Sequence, residues 1–267
     1  MLIVLGILLL VLMLLVGGER GGRSFVALME NIVVLILCVY LICLGINAIA
    51  VTLAGSVLFI SVTLVQQNGV NVKSYASVFS VVLVLCLLSI LAWIISANAK
   101  IAGYSELDLS EEISRSLSLN IHISMMDLSF SVIIFGLLGA VMDTAIAIAS
   151  SVTEFYANNP LLTCRQLVRS GRAVGRDILA TTVNTVFFAG IGETMMQTML
   201  FLQYGYTFES LINSKAFFAE FSLIVISNIG CILIIPIVAE ITGFLLTSNH
   251  AYAERVRTHI RRQQNRP

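Results

Sequence analysis

Runs of apolar residues long enough to cross a bilayer recur from one end of this chain to the other. A helix of about 20 such residues spans the hydrocarbon core, which is about 30 Å thick. No water is available there to hydrogen-bond exposed peptide groups, so runs of this kind fold as helices. Composition agrees: 58% of the 267 residues are hydrophobic and 11% are charged, with mean hydropathy +0.98. A soluble domain carries about 25% charged residues. This chain has too few to cover a water-facing surface. The sequence therefore predicts one all-α membrane domain over residues 1–267, with the lipid bilayer as its main surroundings.

About seven transmembrane helices are expected in a polytopic bundle, at residues 1–16, 27–44, 48–65, 75–97, 128–151, 178–203 and 217–246. The least distinct boundary is Gly45-Ile46-Asn47, which alone divides the second run from the third. The first run lacks a basic segment ahead of it, and Arg20 and Arg23 follow it. That order is expected of a retained first span with its N-terminus outside, rather than a cleaved leader. Residues 100–127 form a mostly acidic stretch in which Ser110-Glu111-Glu112-Ile113 opens a short amphipathic helix. Residues 154–175 read as a basic loop whose leucines favour a helix lying on the bilayer surface. Residues 247–267 form a basic cytoplasmic tail with five arginines.

Lys and Arg concentrate in cytoplasmic loops. With the N-terminus outside and the C-terminus cytoplasmic, twelve of them fall inside: Arg20, Arg23, Lys73, Arg165, Arg169, Arg172, Arg176 and the five in the tail. Three fall outside: Lys100, Arg115 and Lys215. Apolarity alone set the span boundaries, so the charge split is an independent check on them.

An ionisable side chain at membrane depth costs roughly 2.5–3.5 kcal/mol on insertion scales, so it needs a partner, a proton or water. Asp143 lies about eight residues, roughly 12 Å, from the inner end of its span. Helical spacing puts it on a stripe of small and polar residues with Gly139, Ala147, Ser150 and Glu154. Asp177, Thr181, Asn184 and Phe188 share a face of the next span, with Thr185 beside them. Glu240 lies about six residues from the inner end of the last span. Asp143, Asn184 and Glu240 are thus expected at similar depth, as one polar cluster with Thr181 and Thr185. Three roles are open to it: a substrate or proton pathway, hydrogen bonds between helices, and contact with a second subunit. Arg176, Asp177 and Glu154 are candidates for ion pairs at the membrane interface. Glu193 turns away from Asn184 on the same helix.

Other chemistries find no footing. Zero net charge and a tail placed for a lipid surface give no reason to expect nucleic acid. The five cysteines form no C-x-x-C, and His122, His250 and His259 form no H-E-x-x-H, so neither a metal nor another cofactor is expected. Glu111-Glu112 and Arg115 are one residue short of the E-E-x-x-x-R pattern of intramembrane proteases. No phosphate loop or G-x-S-x-G elbow occurs. The chain is not expected to be an enzyme.

Two segments carry a family resemblance. One is Gly136-Leu137-Leu138-Gly139-Ala140-Val141-Met142-Asp143, continuing through Ile146, Ser150, Glu154 and Asn159-Pro160. The other is Ser170-Gly171-Arg172-Ala173-Val174-Gly175-Arg176-Asp177-Ile178, with Thr181, Asn184 and Thr185. Together they resemble the YibE/F-like family, and the chain's shortness resembles its YibF-like members. The resemblance implies a multi-pass protein of the bacterial cytoplasmic membrane that works with a YibE-like partner subunit or as a homo-oligomer. It supplies no reaction. The acids at membrane depth are what point to a permease or transporter subunit. The alternative is a structural or regulatory subunit.

The charge split makes a direct prediction. Green fluorescent protein fused after Pro267 should fluoresce, and alkaline phosphatase fused there should be inactive. The opposite pattern would reverse the orientation.

Overall fold

The computed structural model describes residues 1–66, 68–98, 124–203 and 205–248. All regular structure among them is helical: α1 (Leu2–Cys43), α2 (Ala48–Ile60), α3 (Val72–Asn98), α4 (Met125–Asn158), α5 (Cys164–Gln203), α6 (Phe208–Ile212) and α7 (Lys215–Thr247). A π-helical turn, Ser61–Gln66, prolongs α2. Six helices, all but the short α6, are long and apolar enough to cross a membrane. The helix expected to open at Ser110 and the tail arginines lie outside the described residues.

Local signals set the ends. Asn47 caps α2 by accepting from the Ala50 N–H at 3.1 Å. Ser124 caps α4 by accepting from the Asp127 N–H at 3.4 Å, and Ser214 caps α7 by accepting from the Phe217 N–H at 3.3 Å. These bonds satisfy N–H groups that a helix start leaves without partners. Asn159 closes α4 immediately before Pro160.

Two helices differ from the expected spans. The runs expected at 1–16 and 27–44 belong to one helical element of 42 residues. Among the described residues the count is therefore six long helices, not seven. Straight, α1 would be roughly 63 Å long, about twice the hydrocarbon core. It is not straight: Gly18 has φ 54° and ψ −135°. Positive φ is open to glycine at no steric cost. The bend lays the Gly21 backbone against the Met13 carbonyl oxygen. In an unbroken helix residues eight apart are separated by about 12 Å. The Gly-rich segment between the two expected spans is thus a sharp bend between two apolar arms.

The second difference is α5. It begins at Cys164, whereas the apolar run begins at residue 178. Thr163-Cys164-Arg165-Gln166 has the capping-box pattern and makes its returning half: the Gln166 side-chain oxygen accepts from the Thr163 N–H at 2.9 Å and from its hydroxyl at 3.0 Å. The basic segment expected to lie on the bilayer surface is therefore the opening of α5, in line with the span.

The core gathers around α4, which packs on α2, α3, α5 and α7. Ile134, Leu137, Ile148, Val152, Leu167, Ile234 and Val238 are fully enclosed there. Interior glycines let the helices close up, as small residues do in membrane bundles. A Cβ on Gly171 would stand 2.6 Å from a Val152 methyl and 3.1 Å from the Ala239 Cβ. One on Gly175 would press on Ile235 and stand 3.2 Å from Ile148. α1 packs chiefly on α2 and its π-helical turn, and leaves most of its surface open.

Gly171→Ala is expected to destabilise the purified protein by about 1–3 kcal/mol through overpacking. Gly192→Ala, on the same helix with nothing within 4 Å, is expected to be neutral or stabilising. Thermal unfolding in detergent measures both, and equal effects would remove the close α4–α5–α7 contact.

Candidate functional site

The packing register fixes how deep each polar side chain sits. Val152 and Ala239 meet Gly171, and Ile148 and Ile235 meet Gly175. Val141 meets Gly230, and the Thr144 side chain approaches the Cys231 thiol. Asp143 is therefore level with Cys231. Glu240 lies nine residues beyond Cys231, roughly 13 Å nearer the end of the bundle. The expected cluster of Asp143, Asn184 and Glu240 is split. Sequence boundaries had treated the helices as ending in one plane, whereas α5 carries additional turns below residue 178.

A residue missed in the sequence takes the place of Glu240. Ile224, Asn228, Ile235 and Ala239 share one face of α7 by helical spacing. Ile224 packs on Gly190 and Ile235 on Gly175, which puts Asn228 level with Asn184. The Asn228 amide oxygen is enclosed and has no hydrogen-bond partner among the described residues. Asp143, Asn184 and Asn228 thus come from three helices and fall within about one helical turn of depth. The signal was a single amide in an apolar run, which an acid overshadowed.

The other members of the expected cluster keep to their faces. Gly139, Asp143, Ala147 and Glu154 are exposed along α4, and Ser150 is half-buried. Thr181, Asn184 and Thr185 are exposed on α5. The threonine hydroxyls donate back along their own helix, Thr181 to the Ile178 carbonyl and Thr185 to the Thr181 carbonyl, each at 2.8 Å. Neither the Asp143 carboxylate nor the Asn184 amide is hydrogen-bonded or ion-paired among the described residues. Toward the other end of the bundle, Glu193 lies within electrostatic reach of Glu220 on α7.

Glu240 belongs instead to a basic cavity. About 480 Å³ in volume, it is lined by Cys164, Arg165, Val168, Arg169, Arg172, Arg176 and Glu240. The arginines recur at the spacing of one helical face. Arg172 is ion-paired and hydrogen-bonded with Glu240, both side chains about half exposed. The pairing expected of Arg176, Asp177 and Glu154 does not form among the described residues. Neighbours on a helix point about 100° apart, so Arg176 lines the cavity while Asp177 lies on the Thr181–Asn184 face. The arginine stripe was visible in the sequence, but reading its segment as a separate surface helix hid its place beside α7.

Asp143, Asn184, Arg172 and Arg176, from these two polar levels, lie within the segments that carry the family pattern. A family model described as YibE/F-like protein matches residues 5–248. The chain belongs to the YibE/F-like family. The match extends the likeness from the two motif segments to every described helix. No curated protein and no solved structure matches the chain significantly. In this YibE/F-like protein the G-A-V-M-D segment supplies Asp143, and the G-R-A-V-G-R-D segment supplies both the close-packing glycines and two arginines of the basic cavity.

The Arg172–Glu240 pair joins α5 to α7. Glu240→Arg and Arg172→Glu should each lower folded abundance, and the double exchange should restore most of it. A coupling energy of up to about 1 kcal/mol is expected for a half-exposed pair. A double-mutant cycle with no coupling would contradict the pairing.

Proposed function

We propose that this YibE/F-like protein is a permease or transporter subunit of the bacterial cytoplasmic membrane, with no enzymatic activity of its own. The observation that carries this reading is Asp143. It is an acid at membrane depth, on an open face of the central helix, with no hydrogen-bond or ion-pair partner among the described residues. Lipid is a poor neighbour for such a group. A water-filled path or a second subunit against α4 satisfies it. In this reading the path runs along the α4 and α5 faces that carry Asp143, Thr181, Thr185 and Asn184. Asn228 contributes a polar wall, and Asp143 binds and releases the proton or cation. A YibE-like subunit or a second copy closes the path on its open side. The N-terminus is outside and the C-terminus cytoplasmic, as the distribution of Lys and Arg favours; the two arms of α1 then cross separately.

One observation favours a purely structural or regulatory subunit. The Asp143 stripe is built from Gly139, Ala147 and Ser150, small residues of the kind that admit a partner helix.

Asp143→Asn separates the two readings. Reconstituted with whatever subunits co-purify, the variant is expected to lose at least about tenfold in proton or cation flux at normal abundance. The tenfold corresponds to about 1.4 kcal/mol on the rate-limiting step. Full flux at normal abundance would leave Asp143 a structural contact.

A further inference from the structure

Two cavities lie along the seam between α5 and α7, and their chemistry differs. The first is the basic cavity. Its one carboxylate, Glu240, is taken by Arg172. Arg165, Arg169 and Arg176 have no carboxylate partner among the described residues. Three unpaired guanidinium groups on one helix face present planar donor forks, which match the oxygens of a phosphate.

The second cavity is about 420 Å³ and apolar, lined by residues that include Phe187, Ile191, Met199, Phe217, Phe221 and Ile224. The same stripe of α5 joins the two. Arg176, Ala180, Val183, Phe187 and Ile191 recur at intervals of three and four residues, which is one side of a helix. Between the cavities that side carries only the short Ala180 and Val183. From Arg176 to Phe187 is eleven residues, roughly 16 Å. That is close to the hydrocarbon depth of one leaflet, half of about 30 Å.

We propose that the α5–α7 seam binds an anionic phospholipid. Its phosphate is held by Arg169 and Arg176, with Arg165 one turn further out toward the headgroup, and one acyl chain runs past Ala180 and Val183 to the cleft at Phe187. Basic pockets between membrane helices at the interface recognise lipid headgroups in this manner. A soluble phosphate would satisfy the arginines but would leave the apolar cleft unused. The proposal does not depend on the transport reading, because it uses neither Asp143 nor its face.

Cys164 lines the basic cavity and serves as a probe. Cys43 and Cys86 are exposed, whereas Cys38 and Cys231 are buried. With Cys43→Ser and Cys86→Ser in place, a water-soluble maleimide reports on Cys164 in the folded protein. Phosphatidylglycerol in mixed micelles is expected to slow labelling and to remain bound one-to-one in native mass spectra. Phosphatidylcholine should do neither. Arg169→Gln with Arg176→Gln should weaken phosphatidylglycerol binding roughly thirtyfold, from about 1 kcal/mol per arginine. Equal protection by phosphatidylcholine would overturn the proposal. So would protection by inorganic phosphate alone at similar concentration, which would mark a soluble-anion site. Unchanged retention in the arginine variant would overturn it as well, and the protection assay needs neither arginine substituted.

Discussion

The dry hydrocarbon core is the constraint on which the rest of this structure depends. With no water to hydrogen-bond, each polar group inside must find a partner within the protein. The backbone does so by helix formation. Most hydroxyls do so by bonding back to the carbonyl four residues earlier: Thr52 to Ala48, Ser56 to Thr52, Ser80 to Ala76, Ser131 to Asp127, Thr144 to Ala140 and Ser222 to Phe218. Thr52 also reaches Ser131 across two helices at 2.6 Å. Against that background, Asp143, Asn184 and Asn228 stand out. A carboxylate cannot be satisfied by a turn of its own helix as a hydroxyl can, and an amide can place its NH2 there but not its oxygen.

Depth, rather than sequence distance from a span's end, sorts these groups into two sites. The glycines Gly171 and Gly175 lock α5 to α4 and α7. That lock carries the arginines of α5 down to Glu240, and it leaves Asp143 about two helical turns above them. The same lock therefore separates a polar level within the membrane from a cationic one near its boundary. In the proposed reading one takes a proton or cation and the other an anion. Their separation allows each to be altered without the other.

Much of the fold was legible in the sequence, because hydrocarbon thickness dictates apolar length. Four of the expected spans coincide with helices and a fifth lies within α5, and the match to the YibE/F-like family covers the region where its motifs stood. What was less legible came from backbone signals weaker than apolarity. The bend at Gly18 joins two expected spans into one element through a single positive φ. The capping box at Thr163 starts α5 well before its apolar run, and ignoring it displaced the whole basic segment. From that one omission the depth of Glu240 was misjudged and the Arg172–Glu240 pair was missed. Asn228 went unnoticed because an amide barely disturbs hydropathy, although its burial in α7 is costly without a partner.

The central claim is that the Asp143 face of α4 is covered by water or protein in the working assembly, and not by lipid. Spin labels placed singly at Ala147, on that face, and at Leu87, on the exposed side of α3, test it in vesicles of the co-purified assembly with the native cysteines replaced. The account predicts oxygen accessibility at Ala147 well below that at Leu87, with either a nickel chelate reaching the label or its motion arrested. Equal, high oxygen accessibility and free motion at both positions would contradict it.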